Sequence, residues 1–572
     1  MAADINIMVG GEAGQGVQAA GFIIAKALAR YGLSVFADQD YESRVRGGHN
    51  FFRIRAGDGE VGAISEKVDI LLALDQRSID LHQRELSSDG ILIFDSDKTN
   101  NVSADDRALG LPLEQMALEA ARNKQAANVV AVGSAMSLLG FDSTLLNSVV
   151  LDYFGAGETG QANAAAAGRG YKANKAGAKK GLGKQAGPAG AQKRMLLNGN
   201  EAVALGAMAA GCRFVSAYPM TPSTTIMEYM AGKADELGTV VVQPEDEISA
   251  INMIIGAGYA GVRSMTATSG GGFCLMVEGL GLAGMTETPI VVVDGQRAGP
   301  AIGLPTRTEQ GDLLFALYAS HGDFPRAVMA PANAEDAFWL TVKAFNLADE
   351  YQIPVIILTD QYLASSYATV DRFDLSKVQI KRGQLLSEDD PSKLEHYKRY
   401  EITVSGISPR AFPMQSTALV VADSDEHNEE GHLIEDAETR TAMMLKRQRK
   451  LEDLKKEISG PRTHGPSQAD ITLIGWGSTL GALGEVVDTA ARHGLSVNLV
   501  HFADIWPFPT EAANLALRGA KRTFAVEGNA TAQFAQLLRA ETGHQVSGTI
   551  LKFDGRPFTP AYVLAQLRKE VA

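Results

Sequence analysis

The chain has 572 residues, 45% of them hydrophobic and 21% charged, so at roughly 150 residues per domain we expect three or four domains. Its 53 Lys and Arg against 67 Asp and Glu give a net charge of −14, which argues against a nucleic-acid-binding protein because phosphate contacts need a clustered cationic face. No apolar run reaches the roughly 18 residues of a membrane span, and 2 cysteines are too few for a disulfide framework or a four-thiolate iron–sulfur cluster.

The N-terminal stretch MAADINIMVGGEAGQGV lacks the basic and apolar regions of a secretory signal. Together with the low cysteine count, this predicts a cytoplasmic protein in a reducing compartment.

The first predicted unit, residues 1–155, opens with a strand at Ile5–Val9, a glycine loop and a helix over Val17–Tyr31. In the loop, Gly14 and Gly16 fit the G-x-G-x-x-A variant of the dinucleotide fingerprint. Such glycines let the backbone approach a phosphate at a helix N-terminus. A tight turn without any ligand explains the same residues. The alternation of strands and helices predicts parallel βα units.

Two further features of this unit bear on ligands. Asp38 follows Gly14 by 24 residues, the place of a ribose-binding acid in an NAD-dependent dehydrogenase. The segment Ser43–Asn50 puts two arginines and a histidine beside paired glycines, which suits phosphate or carboxylate binding, although a solvated basic turn is the alternative. Gly57–Gly59 is predicted to be a hairpin turn.

The rest of the chain divides by composition. Residues 156–194 are rich in Ala, Gly, Lys and Asn and predict a linker, whose first half has the composition of a weak helix. A second α/β unit covers 195–370, a polar excursion covers 371–466, and a third α/β unit covers 467–572. The strands predicted in the second and third units are 214–217, 240–243, 264–268, 290–294, 327–329, 355–359, 471–475, 497–500 and 523–526.

The segment Tyr218–Ser223 follows a predicted strand. Its two prolines fix the backbone on both sides of Thr221, so that a hydroxyl is held at the carboxyl end of the strand, where α/β sheets bind ligands. Ser223, Thr224 or Thr225 is positioned to cap a helix over Ile226–Leu237. An ordinary proline-rich loop is the alternative.

This segment resembles the Tyr-Pro-Ile-Thr-Pro-Ser signature of the 2-oxoacid:ferredoxin oxidoreductases. Three further stretches fit that family: Glu245–Ala250, Thr266–Gly272 and the 2-oxoglutarate-type segment Gly303–Asp312. The N-terminal unit is similar to the family's γ domain. The order γ, linker, α resembles a fused α subunit of a 2-oxoglutarate:ferredoxin oxidoreductase, and the third unit resembles a transketolase C-terminal domain.

The resemblance implies an α/β fold of three units and a thiamine-dependent, CoA-acylating oxidative decarboxylation of a 2-oxoacid, or its reverse. This chain would carry the pyrimidine half of a thiamine diphosphate site. Mg²⁺, the diphosphate and a [4Fe–4S] cluster would belong to a β subunit that passes electrons to ferredoxin, in a dimer of heterodimers. Pyruvate or a branched 2-oxoacid is the alternative substrate. More distant alternatives are an NAD-dependent dehydrogenase and a non-catalytic assembly subunit.

Thiamine catalysis needs one carboxyl group against the pyrimidine, preferably in an apolar setting. Among the three acids at the start of the helix after Pro244, Glu247 shares its stripe with Ala250, Ile251, Ile254 and Gly258, whereas Glu245 shares its stripe with Asn252. Helix phase and the family position therefore both favour Glu247 as the catalytic acid. The alternative is a set of carboxylates that only stabilise the helix N-terminus.

By the resemblance, Thr221 and Arg307 contact the substrate, and Pro219 and Glu247 contact the cofactor. Arg297 is a second candidate for a carboxylate. Gly14, Gly16 and Arg46 are the expected contacts for coenzyme A. No metal site is predicted in this chain: the His- and acid-rich segment 424–432 fits no zinc spacing and predicts a solvated loop instead.

Overall fold

The computed structural model describes residues 4–43, 47–100, 102, 107–177, 194–387, 397–415 and 418–571. The strands are β1 Asp4–Ala13, β2 Ser34–Asp40, β3 Gly47–Gly57, β4 Val68–Ala73, β5 Leu86–Asp95, β6 Ala108–Leu111, β7 Met195–Asn198, β8 Phe214–Ser216, β9 Val240–Val242, β10 Ser264–Thr268, β11 Ile290–Gln296, β12 Ala327–Met329, β13 Pro354–Asp360, β14 Tyr367–Val370, β15 Arg462–His464, β16 Ile471–Trp476, β17 Val497–Phe502, β18 Asp504–Trp506, β19 Arg522–Glu527 and β20 Gly548–Leu551.

The helices are α1 Val17–Tyr31, α2 Gln76–His82, α3 Leu113–Ala121, α4 Ala127–Leu138, α5 Ser143–Phe154, α6 Glu158–Gly177, α7 Gly199–Ala209, α8 Thr224–Ala231, α9 Ala234–Leu237, α10 Glu247–Tyr259, α11 Gly270–Met285, α12 Leu313–Tyr318, α13 Ala334–Tyr351, α14 Gln361–Ser365, α15 Ala437–Glu457, α16 Leu480–Ala490, α17 Thr510–Ala516, α18 Gln533–Thr542 and α19 Pro560–Val571. The predicted helix 226–237 is divided into α8 and α9 around Gly232 and Lys233. Within the described residues, no helix combines the length and the apolar character needed to span a bilayer.

The chain forms two compact units, the first made of 1–197, 365–372 and 559–563 and the second of the remaining residues. The first unit contains a mixed sheet in the order β6-β5-β4-β1-β3-β2-β14-β7. Strand β1 runs parallel to β4 and antiparallel to β3. The sheet is not wholly parallel, because the connection from β2 to β3 is shorter than the dozen or so residues of a helical crossover.

Strands β3 and β4 do not pair with each other, since they lie on opposite sides of β1. The prediction of a hairpin turn at Gly57–Gly59 is therefore wrong. An Asp-Gly turn signal marks a change of direction, but it does not specify which strand the chain pairs with afterwards.

The first half of the segment predicted to be a linker is the helix α6, which packs on α4. A Cβ on Gly133 would lie 2.0 Å from the carbonyl oxygen of Ala167, and one on Gly170 would lie 1.9 Å from that of Val130. The two glycines, together with the buried Ala166 and Ala167, therefore permit α4 and α6 to approach closely. Residues 178–193 of the predicted linker lie outside the described residues.

The second unit contains two sheets. The central sheet has the order β18-β12-β13-β11-β10-β8-β9, and its strands are parallel except for β18, which is antiparallel to β12. The C-terminal sheet has the order β15-β17-β16-β19-β20. One apolar core cluster includes residues of both sheets, such as Val292 and Ile356 of the first and Ile474 and Val500 of the second.

The prediction that segment 424–432 is a solvated loop is wrong at its centre, although Ser424, Asp425 and His432 are exposed. Both carboxylate oxygens of Glu426 accept hydrogen bonds from the buried guanidinium of Arg447 on α15, at 3.0 and 2.7 Å. His427 is fully buried and packs on the ring of Tyr400 with 4.0 Å between ring centroids. These partners are distant in sequence, so hydrophilic composition alone does not predict the burial.

Candidate active site

The predicted catalytic acid lies where helix phase places it. Glu247 begins α10 and is 3% exposed, and the same face of the helix buries Ala250, Ile251 and Ile254. The helix is capped by the preceding residue, Asp246, whose side chain accepts a hydrogen bond from the Ser249 amide at 2.7 Å. Glu247 is therefore not needed as the cap, and its carboxyl group faces the protein interior.

The Glu247 carboxyl group lies against the first turn of α11. A Cβ on Gly272 would be 2.6 Å from Glu247 Oε1 and 2.1 Å from Thr268 Oγ1. Glu247 Oε1 is buried and has no hydrogen-bond partner among the described residues. A buried carboxyl oxygen without a partner is costly, so this atom is suited to pairing with a polar group that a ligand supplies.

The Tyr218–Ser223 segment follows β8 and reaches the same place. Ser223 does not cap α8, because its hydroxyl donates instead to the Thr268 carbonyl of β10. The Thr268 hydroxyl lies 3.9 Å from Met220 Sδ. Strand β11 packs directly on the segment, since a Cβ on Gly295 would lie 2.6 Å from Ser223 Oγ. The ends of β8, β10 and β11 thus bring Thr221 and Glu247 to one edge of the central sheet.

Arg297 is tied to this segment by a direct contact. It follows β11, is buried, and donates from Nη1 to the carbonyl oxygen of Thr221 at 2.8 Å. Arg297, the second candidate for a substrate carboxylate, thus uses Nη1 to support the backbone that carries the Thr221 hydroxyl.

Arg307 lies at the far end of a short loop that begins at Arg297. Backbone hydrogen bonds from Ala298 to Arg307 and from Leu304 to Ala298 close this loop. Gly303 has φ +53°, and a Cβ there would meet the Ala298 carbonyl at 1.8 Å, so the turn requires glycine. The half-buried Arg307 side chain packs against Gly555.

The rest of this segment is anchored to the C-terminal sheet. Gln310 donates to the Trp476 carbonyl at 3.0 Å and accepts from the Gly528 amide at 2.9 Å. Its own amide donates to the Gly528 carbonyl at 2.6 Å. The Gly303–Asp312 motif therefore connects the candidate site to the third predicted unit.

The sequence reasoning missed the acids Asp294, Glu309 and Asp312. Burial, and then the charge of Asp312, raise the pKa of Asp294 well above its ordinary value. The same two causes raise the pKa of Glu309 to about 7. Burial also raises the pKa of Asp312, although Arg297 opposes that shift. A signal was available, because Asp294 interrupts the otherwise apolar strand Ile290–Val293.

The glycine loop of the first unit is satisfied within the protein. A Cβ on Gly16 would lie 2.3 Å from Asn128 Nδ2, which donates to the Gly16 carbonyl at 3.0 Å. Gly14 has φ +96° and open space around it. Gly16 thus has a packing reason to be glycine, whether or not a ligand binds. Arg46, the third expected coenzyme A contact, lies outside the described residues.

Asp38 does not present a free carboxylate for a ribose. It is buried and accepts two hydrogen bonds from Arg53, at 2.9 and 2.5 Å, across the β2–β3 register. This pairing removes the acid on which the dehydrogenase alternative depends. In the part of the chain that the structure describes, no group of three or more His, Cys, Asp and Glu side chains is arranged to hold a metal ion.

Three family descriptions match the chain. Residues 6–173 match "Pyruvate ferredoxin/flavodoxin oxidoreductase", residues 205–446 match "Pyruvate flavodoxin/ferredoxin oxidoreductase, thiamine diP-bdg", and residues 469–563 match "Pyruvate:ferredoxin oxidoreductase core domain II".

Relatives agree with these matches. The chain is 34% identical to the 2-oxoacid:ferredoxin oxidoreductase subunit alpha of Sulfolobus sp, over 97% of this chain and 95% of the relative. It is 35% identical to the 2-oxoglutarate synthase subunit KorA of Methanothermobacter marburgensis, over 65% of this chain and 97% of the relative. The structure of 2-oxoglutarate:ferredoxin oxidoreductase from Magnetococcus marinus, with 2-oxoglutarate, coenzyme A and succinyl-CoA bound, superposes with a TM-score of 0.91 at 32% identity, covering 100% of both chains.

Proposed function

The chain belongs to the 2-oxoacid:ferredoxin oxidoreductase family as an α-type subunit, and on this basis we propose that its substrate is 2-oxoglutarate. The support is the similarity to a solved enzyme with 2-oxoglutarate and succinyl-CoA bound and to KorA subunits of 2-oxoglutarate synthases. The reaction is the decarboxylation of the oxoacid, with transfer of the acyl group to coenzyme A and of electrons to ferredoxin. The same chemistry on pyruvate or a branched 2-oxoacid is the alternative.

The observation that carries the thiamine-dependent chemistry in this proposal is the buried Oε1 atom of Glu247, which has no hydrogen-bond partner among the described residues. A pyrimidine ring nitrogen fits such an atom, because a buried carboxyl oxygen needs a polar partner. Thiamine diphosphate, when bound, would supply a nucleophilic carbon for the keto group of the oxoacid. Glu247 would hold its pyrimidine ring, and Pro219 would contact the same cofactor.

Thr221 and Arg307 orient the 2-oxoacid. The Thr221 hydroxyl is held at the strand end by the Arg297 hydrogen bond to its carbonyl and donates to the keto or carboxylate oxygen. Arg307 binds a carboxylate of the substrate through the two-point fork that its guanidinium allows.

The remaining chemistry is assigned to other components. With 2 cysteines in the chain, we place the iron–sulfur cluster in a β subunit, together with Mg²⁺ and the diphosphate site. A dimer of such heterodimers in the cytoplasm reduces ferredoxin. The loop of Gly14 and Gly16, with Arg46, contacts coenzyme A. Isothermal titration of coenzyme A into the Arg46→Ala enzyme tests this contact, and an unchanged affinity removes Arg46 from the site.

The decisive experiment compares Glu247→Gln with Glu245→Gln in the enzyme co-expressed with its β subunit. Glu245 is exposed, two residues away in the same segment, and serves as the matched control. We expect Glu247→Gln to lose about 100-fold or more of 2-oxoacid turnover while the thermal unfolding midpoint is unchanged. Near-normal turnover of Glu247→Gln would refute the assignment. Assays of 2-oxoglutarate, pyruvate and 2-oxoisovalerate with coenzyme A and a viologen dye identify the substrate.

A further inference from the structure

Asp294 is a fully buried acid next to the candidate site, and the described part of the chain gives its carboxylate no hydrogen-bond partner. It lies on β11, opposite Thr268 in the β10–β11 register, and is 0% exposed. Neither of its carboxylate oxygens has a hydrogen-bond partner among the described residues. An ionised carboxylate in this position would carry its full desolvation cost.

A second acid approaches from the segment that follows. Asp312 occupies the N-cap position of α12, yet its side chain does not cap that helix. Its carboxylate instead faces the first turn of α11, where a Cβ on Gly270 would lie 2.5 Å from Asp312 Oδ2. The Asp312 amide donates to Gln296 Oε1 at 3.0 Å, which ties this acid to β11 two residues beyond Asp294.

One cation accompanies these two acids. Arg297 is buried beside them and makes its hydrogen bond to the Thr221 carbonyl. Two ionised carboxylates and one guanidinium leave an uncompensated negative charge in an apolar setting. Two like charges in one site favour retention of a proton on one of them.

We propose that Asp294 and Asp312 share one proton at neutral pH and act as positioning residues. The singly charged pair allows Arg297 to keep its hydrogen bond to the Thr221 carbonyl, and this bond holds the Thr221 hydroxyl at the site. The link to substrate binding rests on the proposed function, whereas the shared proton does not. With one proton on the pair, the charges of the pair and of Arg297 balance. Loss of that proton adds a second negative charge, which draws Arg297 away from an uncharged carbonyl oxygen.

The surrounding groups act in the same direction. Burial raises the pKa of both acids, and Arg297 opposes this shift. The other titratable groups that act on the pair are Glu309 and Cys274. The pKa of Glu309 is raised to about 7. Partial burial of its thiol, and then the charges of Asp312 and Asp294, raise the pKa of Cys274. Each of these groups becomes more negative as the pH rises, so all of them oppose a second charge on the pair.

The shared proton is tested by infrared spectroscopy on the full chain labelled with ¹³C-aspartate, without cofactor, substrate or partner. At about pH 7, we expect the wild-type spectrum to contain a band from a protonated carboxyl group. One component of this band should be absent from the spectra of both Asp294→Asn and Asp312→Asn. Asp312 is half-buried, so its variant keeps the test available if Asp294→Asn does not fold. A wild-type spectrum without such a component, or one that Asp312→Asn leaves unchanged, overturns the proposal.

The positioning role is tested in the assembled enzyme. In the wild type, we expect the KM for the 2-oxoacid to rise at least about threefold between about pH 6 and pH 8.5, with a smaller change in kcat. In Asp312→Asn, which mimics the protonated acid, we expect the KM to stay constant over this range. If the wild type and Asp312→Asn both turn over the 2-oxoacid and show the same dependence of KM on pH, the positioning role is overturned. If no 2-oxoacid is turned over, the proposed function fails, while the infrared result still decides whether the proton is shared.

Discussion

Lys446 Nζ lies 2.6 Å from Glu287 Oε1, and both side chains are fully buried. Lys450, one turn further along α15, pairs with the other oxygen of the same carboxylate. Burial raises the pKa of Glu287, but the two ammonium groups and Arg399 together lower it well below its ordinary value. One carboxylate therefore pairs with two buried lysines, and it joins α15 to the end of α11.

This arrangement predicts a large loss of stability for Glu287→Gln. The substitution leaves two buried ammonium groups without a counter-charge, and breaking such a pair costs about 3–5 kcal/mol. Urea unfolding of the full chain measures the change. The control is Asp453→Asn, which breaks an exposed pair with Lys456 on the same helix and should leave the unfolding midpoint unchanged. Equal midpoints for the two variants would contradict the prediction.

Gly272→Ala is expected to impair catalysis although it replaces glycine within a helix. Such a change ordinarily stabilises a helix by about 0.5–1 kcal/mol. Here the new Cβ would lie 2.6 Å from Glu247 Oε1, so the carboxyl group must move. A displacement of about 1 Å can cost about 100-fold in rate.

The matched control for this change is Gly271→Ala. It adds the same methyl group in the same turn, but its nearest contact is the Ala301 carbonyl at 3.9 Å. We expect near-normal 2-oxoacid turnover in that variant, measured in the assembled enzyme. If both variants behaved alike, the close packing of Gly272 on Glu247 would not be the cause.

A buried pair of histidines in the first unit predicts sensitivity to acid. His49 Nε2 lies 2.7 Å from His82 Nε2, and His82 Nδ1 lies 2.9 Å from Glu85. Burial, and then the charge of His82, lower the pKa of His49. The unfolded chain therefore binds a proton at a higher pH than the folded chain does. Stability from His49 is present above its ordinary pKa of about 6.5 and is lost as the pH falls through the lowered value.

We expect the stability of His49→Gln to fall less steeply than that of the wild type as the pH is lowered. The difference in slope corresponds to up to about one proton taken up per molecule on unfolding. Thermal unfolding midpoints of the full chain, measured from about pH 7 to pH 5, report this slope. His432→Gln alters an exposed histidine and should keep the wild-type slope. An unaltered slope in His49→Gln would show that the pair does not govern the acid response.

Local patterns predicted much of the fold. The predicted strands 264–268 and 327–329 are β10 and β12 with the bounds that the structure has, and the apolar stripe of α10 correctly buried Glu247. The phase argument succeeded because burial of a helix face depends on residues three and four positions apart.

The predictions failed where the partner is distant in sequence. The pairing of Glu426 with α15 and the approach of α6 to α4 depend on contacts that no local window contains. Composition therefore indicated a solvated loop in the first place. In the second it indicated a linker with a weak helix, but not the packing of that helix on α4. Asp294 was missed for a related reason, since the acid that makes it unusual, Asp312, lies 18 residues further along the chain.

The short strand β18 has a consequence for how this polypeptide can be divided. It comes from the third predicted unit, yet it completes the central sheet by pairing Trp506 with Val328. A chain cut before residue 467 would leave the backbone groups of β12 open along one side, where a second molecule can add a strand. A polypeptide divided between the two sheets of the second compact unit is thus expected to be aggregation-prone.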